Sequence, residues 1–133
     1  MVPDSFRCYL VKKTGKDTIE ASVERRPTFD LPAGDVLVRV ERSSLNYKDA
    51  LAATGHPAVA RRFPHVPGID AAGTVLESGS AEFQAGDRVV VTSYELGVER
   101  WGGWAELVRV PAEWVVKLPT GLSVEESMIL GTA

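Results

Sequence analysis

Short runs of β-branched and aromatic residues, each closed off by turn-forming residues, set the rhythm of this chain. They fall at 6–11, 19–23, 36–40, 74–76, 88–92, 105–110 and 115–117. Turn chemistry separates them, as in Lys13-Thr14-Gly15-Lys16-Asp17, Pro32-Ala33-Gly34-Asp35 and Ala85-Gly86-Asp87. Many short strands with Gly/Pro punctuation predict a mainly β domain built as a small closed or partly closed barrel, not a parallel sheet. The run 36–40 alternates only loosely, which predicts a strand covered on much of both faces. Two short helices interrupt the pattern. One starts near 45–47 and runs toward 53, stopping before Gly55, a natural C-terminal residue. The other starts at Ser123, where Ser123-Val124-Glu125-Glu126 has the spacing of a capping box.

Composition narrows the class. A chain of 133 residues with 44% hydrophobic and 25% charged residues fits one globular domain. Eighteen acidic against fifteen basic residues give a net charge of -3, so no basic excess exists to neutralise nucleic-acid phosphates. Arg25-Arg26 and Arg61-Arg62 are isolated pairs that read as solvated loop charges, with contact to an anionic ligand as the alternative. Cys8 is the single cysteine, which excludes an intrachain disulfide and any multi-thiolate metal site. Its place within a strand run predicts a buried thiol. No stretch is long enough to span a membrane as a helix, and no secretory leader is recognised, so a cytoplasmic location is the default expectation. His56 and His65 stand nine apart beside prolines and match no metal spacing; surface loop histidines are expected.

The chemistry concentrates in two phrases. Ser43-Ser44-Leu45-Asn46-Tyr47-Lys48-Asp49 is followed by Pro67-Gly68-Ile69-Asp70-Ala71-Ala72-Gly73. Gly86-Asp87-Arg88-Val89, Trp101-Gly102-Gly103, Leu118-Pro119-Thr120-Gly121 and Gly131-Thr132-Ala133 come after them in order. From about 36 onward the chain resembles the catalytic domain of the medium-chain dehydrogenase/reductase superfamily. It is most similar to its acrylyl-CoA reductase and quinone-oxidoreductase-like group. The zinc alcohol dehydrogenases of that superfamily carry a cysteine where this chain has Asn46 and a histidine where it has Ile69. Neither Asn nor Ile is a useful zinc ligand, so the resemblance implies a zinc-free reductase.

Such enzymes join a GroES-like β-barrel domain to a Rossmann domain that holds NADPH. No G-x-G-x-x-G phosphate loop occurs here, since Gly68 to Gly73 lacks the middle glycine and leads into a β-rich run. The expectation is a first domain spanning 1–133, ending at the junction to an absent nucleotide-binding domain. By itself it is expected to be inactive and to bind NADPH only weakly. The resemblance implies that Asn46, Tyr47 and Asp49 serve catalysis and that Asn46, Tyr47 and Thr132 meet the cofactor. Read from the residues alone, Asn46 is equally a helix N-cap, Tyr47 a packed aromatic, and Asp49 a buried carboxylate that orients its loop. Asp70 suits a structural hydrogen-bond role. Tyr94, Trp101 and Trp104 line a cleft or pack at its rim. A small substrate, either an enoyl-CoA or a quinone, is implied for the whole enzyme, without nucleic acid or membrane, and a homodimer is allowed. The alternative is a free-standing GroES-like domain that binds a partner without catalysis.

Overall fold

A computed structural model describes residues 1–130 and 132 of the chain, so of the phrase Gly131-Thr132-Ala133 only Thr132 falls within the described residues. The strands are β1 (Ser5–Lys13), β2 (Ile19–Pro27), β3 (Val36–Ser43), β4 (Asp70–Ser78), β5 (Arg88–Thr92), β6 (Leu107–Val110) and β7 (Val115–Lys117). The helices are α1 (Tyr47–Ala53) and α2 (Val124–Leu130). Each strand run of the sequence appears, and β4 extends well beyond its expected limits. Arg25 and Arg26 lie in β2 and not in a loop, and Arg26 is engaged by Asp30 at 2.7 Å.

The architecture is mainly β, as expected, in two sheets. Strands β1 and β2 form a hairpin, while the other five lie in the order β6-β3-β4-β5-β7 with every neighbour antiparallel. The barrel does not close. Instead the hairpin is stitched to the larger unit by isolated contacts. Tyr9 N–H donates to the Trp104 carbonyl at 2.8 Å, Glu106 N–H to that of Arg7 at 2.9 Å, and Val11 and His65 exchange two bonds.

Strand β3 explains how one sheet carries two cores. Val36 and Val38 join Val75, Val89, Val91, Val108 and Val110 on one face. Leu37 points the other way, into Phe6, Leu10, Val66 and Leu107 beneath the hairpin. A strand apolar at three successive positions can only be buried on both faces, which accounts for its loose alternation. Cys8 lies in the second core, and burial pushes its thiol up to about 11, so it packs as a small apolar group. A third, smaller cluster seats Val124 and Met128 of α2 against Ala72 of β4. Helix α2 begins with the reciprocal bonds its sequence predicts: Glu126 N–H donates to Ser123 Oγ and Ser123 N–H to Glu126 Oε1.

Gly73 marks the closest approach between β3 and β4. The pairing slips between Val40 and Arg42, and a Cβ on Gly73 would occupy the space of the Arg39 carbonyl oxygen. Backbone cannot yield there as a flexible side chain would. Gly73→Ala is therefore expected to lower unfolding free energy by at least ~2 kcal/mol in denaturant titration.

His65 corrects a sequence expectation. Its side chain is 3% exposed and Nε2 lies 2.7 Å from the Gly97 carbonyl, so it is an interior strut and not a surface loop residue. The pairing of its backbone with β1 draws it inward. Burial holds the imidazole below its ordinary 6.5, outweighing the Gly97 carbonyl and the Glu99 charge, which act the other way. The neutral ring thus favours the folded state above that ordinary value, and its contribution is lost as pH falls through the lowered folded value. Between about pH 7.5 and pH 5.5 the thermal midpoint should fall, and His65→Gln, which keeps a donor without the titration, should flatten that fall. Equal slopes in the two proteins would show that His65 is protonated within the fold.

Candidate functional site

The two sequence phrases meet around two carboxylates. Asp49 lies in the first turn of α1 and is fully buried. Its Oδ2 accepts the Asn46 N–H at 2.9 Å, while Oδ1 accepts the N–H groups of Gly68 at 3.1 Å and Ile69 at 2.9 Å. One side chain therefore starts the helix and grips the turn that leads into β4. That turn is possible because Gly68 takes φ +110°, and a Cβ there would strike the backbone of Gly103 and Trp104. Gly103 N–H in turn donates to the Gly68 carbonyl at 2.8 Å, which lays the Trp101-Gly102-Gly103 loop directly on the turn.

Asp70, the first residue of β4, is equally buried. Its Oδ2 accepts the Ser44 hydroxyl at 2.7 Å, the Asn46 side-chain N–H at 3.3 Å and the Thr132 N–H at 3.2 Å. Its Oδ1 accepts the Thr132 hydroxyl at 2.6 Å. No lysine or arginine pairs with either carboxylate among the described residues. Hydrogen bonds alone compensate their removal from water.

Asn46 links the pair. It is the residue before α1, in extended conformation (φ -123°), and its side-chain nitrogen points inward. Nδ2 lies 2.9 Å from Ser44 Oγ, 3.3 Å from Asp70 Oδ2 and 3.5 Å from Asp49 Oδ2. Rotating the amide would turn its oxygen onto two carboxylates, so charge chooses this orientation. An amide donor thus occupies the midpoint between two acids. The Ile69 side chain is apolar and offers no metal ligand, and among the described residues no three His, Cys, Asp or Glu groups converge on a metal position.

Of the sequence-derived candidates, Asn46, Asp49 and Thr132 come together with Asp70. Tyr47 stays apart: its side chain is 80% exposed. Leu45, on the other side of Asn46, is exposed as well, as are Ile129 and Leu130 just before Thr132. Exposed apolar side chains therefore flank the polar cluster in two of the segments that form it. Ser44 was not singled out by sequence reasoning. Its signal was the two-residue spacing to Asn46 in an extended segment, which puts both side chains on one side. Trp101 and Trp104 serve as props, donating their indole N–H groups to the carbonyls of Pro64 and Ser44, each at 3.0 Å. Tyr94 stacks on Trp114 with centroids 5.3 Å apart, away from the cluster's hydrogen bonds.

Replacing Asp49 by Asn would turn an N–H toward N–H donors at a fully buried position. The expected loss is about 3 kcal/mol of unfolding free energy. A loss below about 1 kcal/mol in urea titration would mean that the Gly68 turn is held by other contacts.

Comparison with known proteins gives this geometry its setting. The family model of the alcohol dehydrogenase GroES-like domain matches residues 32–120. The acrylyl-CoA reductase AcuI of Ruegeria pomeroyi is 44% identical over 114 residues, which takes in 86% of this chain and 34% of the reductase. Among solved structures, the yhdH oxidoreductase of Salmonella enterica in complex with NADP superposes with a TM-score of 0.88 at 48% identity, covering 93% of this chain and 38% of that one. The Bacillus subtilis protein yhfP with NAD bound gives a TM-score of 0.90 at 44% identity, over 96% of this chain and 39% of its own. The chain thus spans little more than a third of the length of these relatives. It belongs to the alcohol dehydrogenase GroES-like domain family, within the medium-chain dehydrogenase/reductase superfamily.

Proposed function

We propose that residues 1–133 are the catalytic domain of an NADPH-dependent, zinc-independent reductase of α,β-unsaturated carbonyl compounds, with an acrylyl-CoA-like thioester as substrate. The observation that carries this reading is the Asn46 amide set between Asp49 and Asp70. Hydrogen bonds organise the place where the zinc relatives use a metal ligand, and among the described residues no three His, Cys, Asp or Glu side chains gather there to hold zinc. The nucleotide-binding half lies beyond these residues in this reading, which the chain's coverage of little more than a third of its relatives supports.

A nicotinamide cofactor, when bound, would supply the hydride that reduces the alkene at its β-carbon. The electron pair of the alkene then moves toward the carbonyl oxygen, and the α-carbon finally takes a proton. This chain must stabilise that oxygen and deliver or relay that proton. Asn46 is poorly suited to donate outward, because its side-chain N–H groups already face Ser44 and Asp70. Its role is to hold Ser44, Asp49 and Asp70 in one frame, which Thr132 joins through Asp70. Asp49 acts similarly, by orienting the turn at Gly68. Tyr47, next to Asn46 in the chain and exposed, has an uncommitted donor among the described residues, and we assign it the contact with the reacting carbonyl or its proton. Exposed Leu45, Tyr47, Ile129 and Leu130 suit the flat, largely apolar nicotinamide ring.

The complete gene product should oxidise NADPH with acrylyl-CoA and contain no stoichiometric zinc after dialysis. Tyr47→Phe should lower kcat by roughly 10²-fold while leaving the folding midpoint unchanged. Turnover of small quinones alone would move the substrate class. Absence of turnover with both, or a gene that ends at codon 133, would favour a non-catalytic binding domain.

A further inference from the structure

A cavity opens at the far end of α1. It measures about 630 Å³ and lies between the β1–β2 turn and the segment that follows the helix. Lys13, Lys16, His56 and Arg61 line it against a single carboxylate, Asp17. That is a local excess of positive charge on a chain whose net charge is -3. No ion pair engages Lys13 or Lys16 among the described residues, and Arg61 meets only Glu99, at 3.7 Å.

The cavity is built and not merely a gap between loops. Thr14 N–H donates to the Thr18 carbonyl at 2.9 Å, which closes the turn carrying Lys16. Gly55 takes φ +75°, and a Cβ there would collide with the Ile19 side chain, so the hairpin end and the post-helix segment are in close contact. His56 is fixed as well. Its Nδ1 accepts the Ala58 N–H at 3.1 Å, which in the neutral ring leaves Nε2 as the donor. Phe63 and Ile19 add apolar wall. Cationic donors beside an aromatic and an aliphatic surface suit a phosphorylated nucleotide, with charge for the phosphates and the walls for the base.

Its placement suggests which nucleotide. The cavity shares Thr54 and Gly55 with the C-terminal end of α1, and Asn46 precedes the other end. The seven-residue helix carries the chain from Asn46 to Thr54 in eight steps, about 12 Å at the α-helical rise. The pantetheine arm of a coenzyme A thioester is a little over four residues' worth of backbone, roughly 15 Å extended. A thioester reacting beside Tyr47 can therefore reach this cavity with its pyrophosphate. We propose that the Lys13–Lys16–Arg61 cavity binds the phosphate-bearing end of a coenzyme A thioester, an assignment that rests on the reductase reading above. It would favour a CoA-borne substrate over a free carbonyl or quinone of the same reactivity.

The test uses the full gene product and calorimetric titration with coenzyme A, which cannot be reduced, with pantetheine, which lacks the phosphates, and with NADPH. Coenzyme A should bind at least about 10-fold more tightly than pantetheine, and the advantage should shrink as salt rises. The double variant Lys13→Glu/Lys16→Glu should weaken coenzyme A about 10-fold or more and leave NADPH unchanged. Arg25→Glu, a single charge reversal elsewhere on the hairpin, should change neither. In turnover, the double variant should raise KM for acrylyl-CoA at constant kcat. Unchanged coenzyme A affinity in the double variant would overturn the assignment, and so would a loss confined to NADPH, which would make this a cofactor subsite. Acrylyl-CoA turnover with an unaltered KM sinks the cavity assignment and leaves the reductase reading standing. Lysine-dependent coenzyme A binding without any reduction does the reverse.

Discussion

Asp49 and Asp70 are both withdrawn from water, and neither faces a cationic side chain among the described residues. An acid in that situation is tolerable only if donors converge on it from several directions. Here they come from residues 44 to 46, from the turn at 68 and 69, and from Thr132. Those segments lie far apart in the sequence. The need to satisfy the two carboxylates therefore fixes where each must run. Gly68 and its neighbours Gly102 and Gly103 follow from the same demand, since side chains there would push the segments apart.

Seen this way, the site is an electrostatic knot more than a display of reactive groups. Most polar atoms near its centre are occupied with one another. The side chains left exposed are those of the rim, Tyr47 and the apolar residues Leu45, Ile129 and Leu130. Preorganisation of this sort suits a reaction in which the chain contributes position and one donor while a bound nucleotide contributes the reducing equivalent.

Much of this was legible beforehand because local chemistry and tertiary context agree. The capping box at Ser123, the stop at Gly55 and the β-branched runs each describe structure within a few residues of themselves. The burial of β3 on both faces could be read from its loose alternation. His65 was misread for the opposite reason. Nothing near it in sequence foretells that its backbone pairs with Val11 and draws the ring inward. Asn46 and Asp49 could be named from the chain, but not the direction in which the Asn46 amide points. That direction depends on Asp70, a residue twenty-four positions away. The cationic cavity was likewise hidden, because Lys13 and Lys16 meet Arg61 only after the hairpin folds over the segment that follows α1.

The stitching of β1 bears on how the molecule is made. Its partners beyond β2 are His65, Trp104 and Glu106, so the first strand emerges from the ribosome long before the residues it must join. At ordinary ribosomal rates the delay for nearly a hundred residues is roughly 5–20 s. Throughout that interval the inward side of the hairpin, with Phe6, Cys8 and Leu10, has no sheet to rest on. The nascent chain thus carries an uncovered apolar strand while the next ninety or so residues are made, and a chaperone that shields β1 would act on one of the longest-range pairings in the fold.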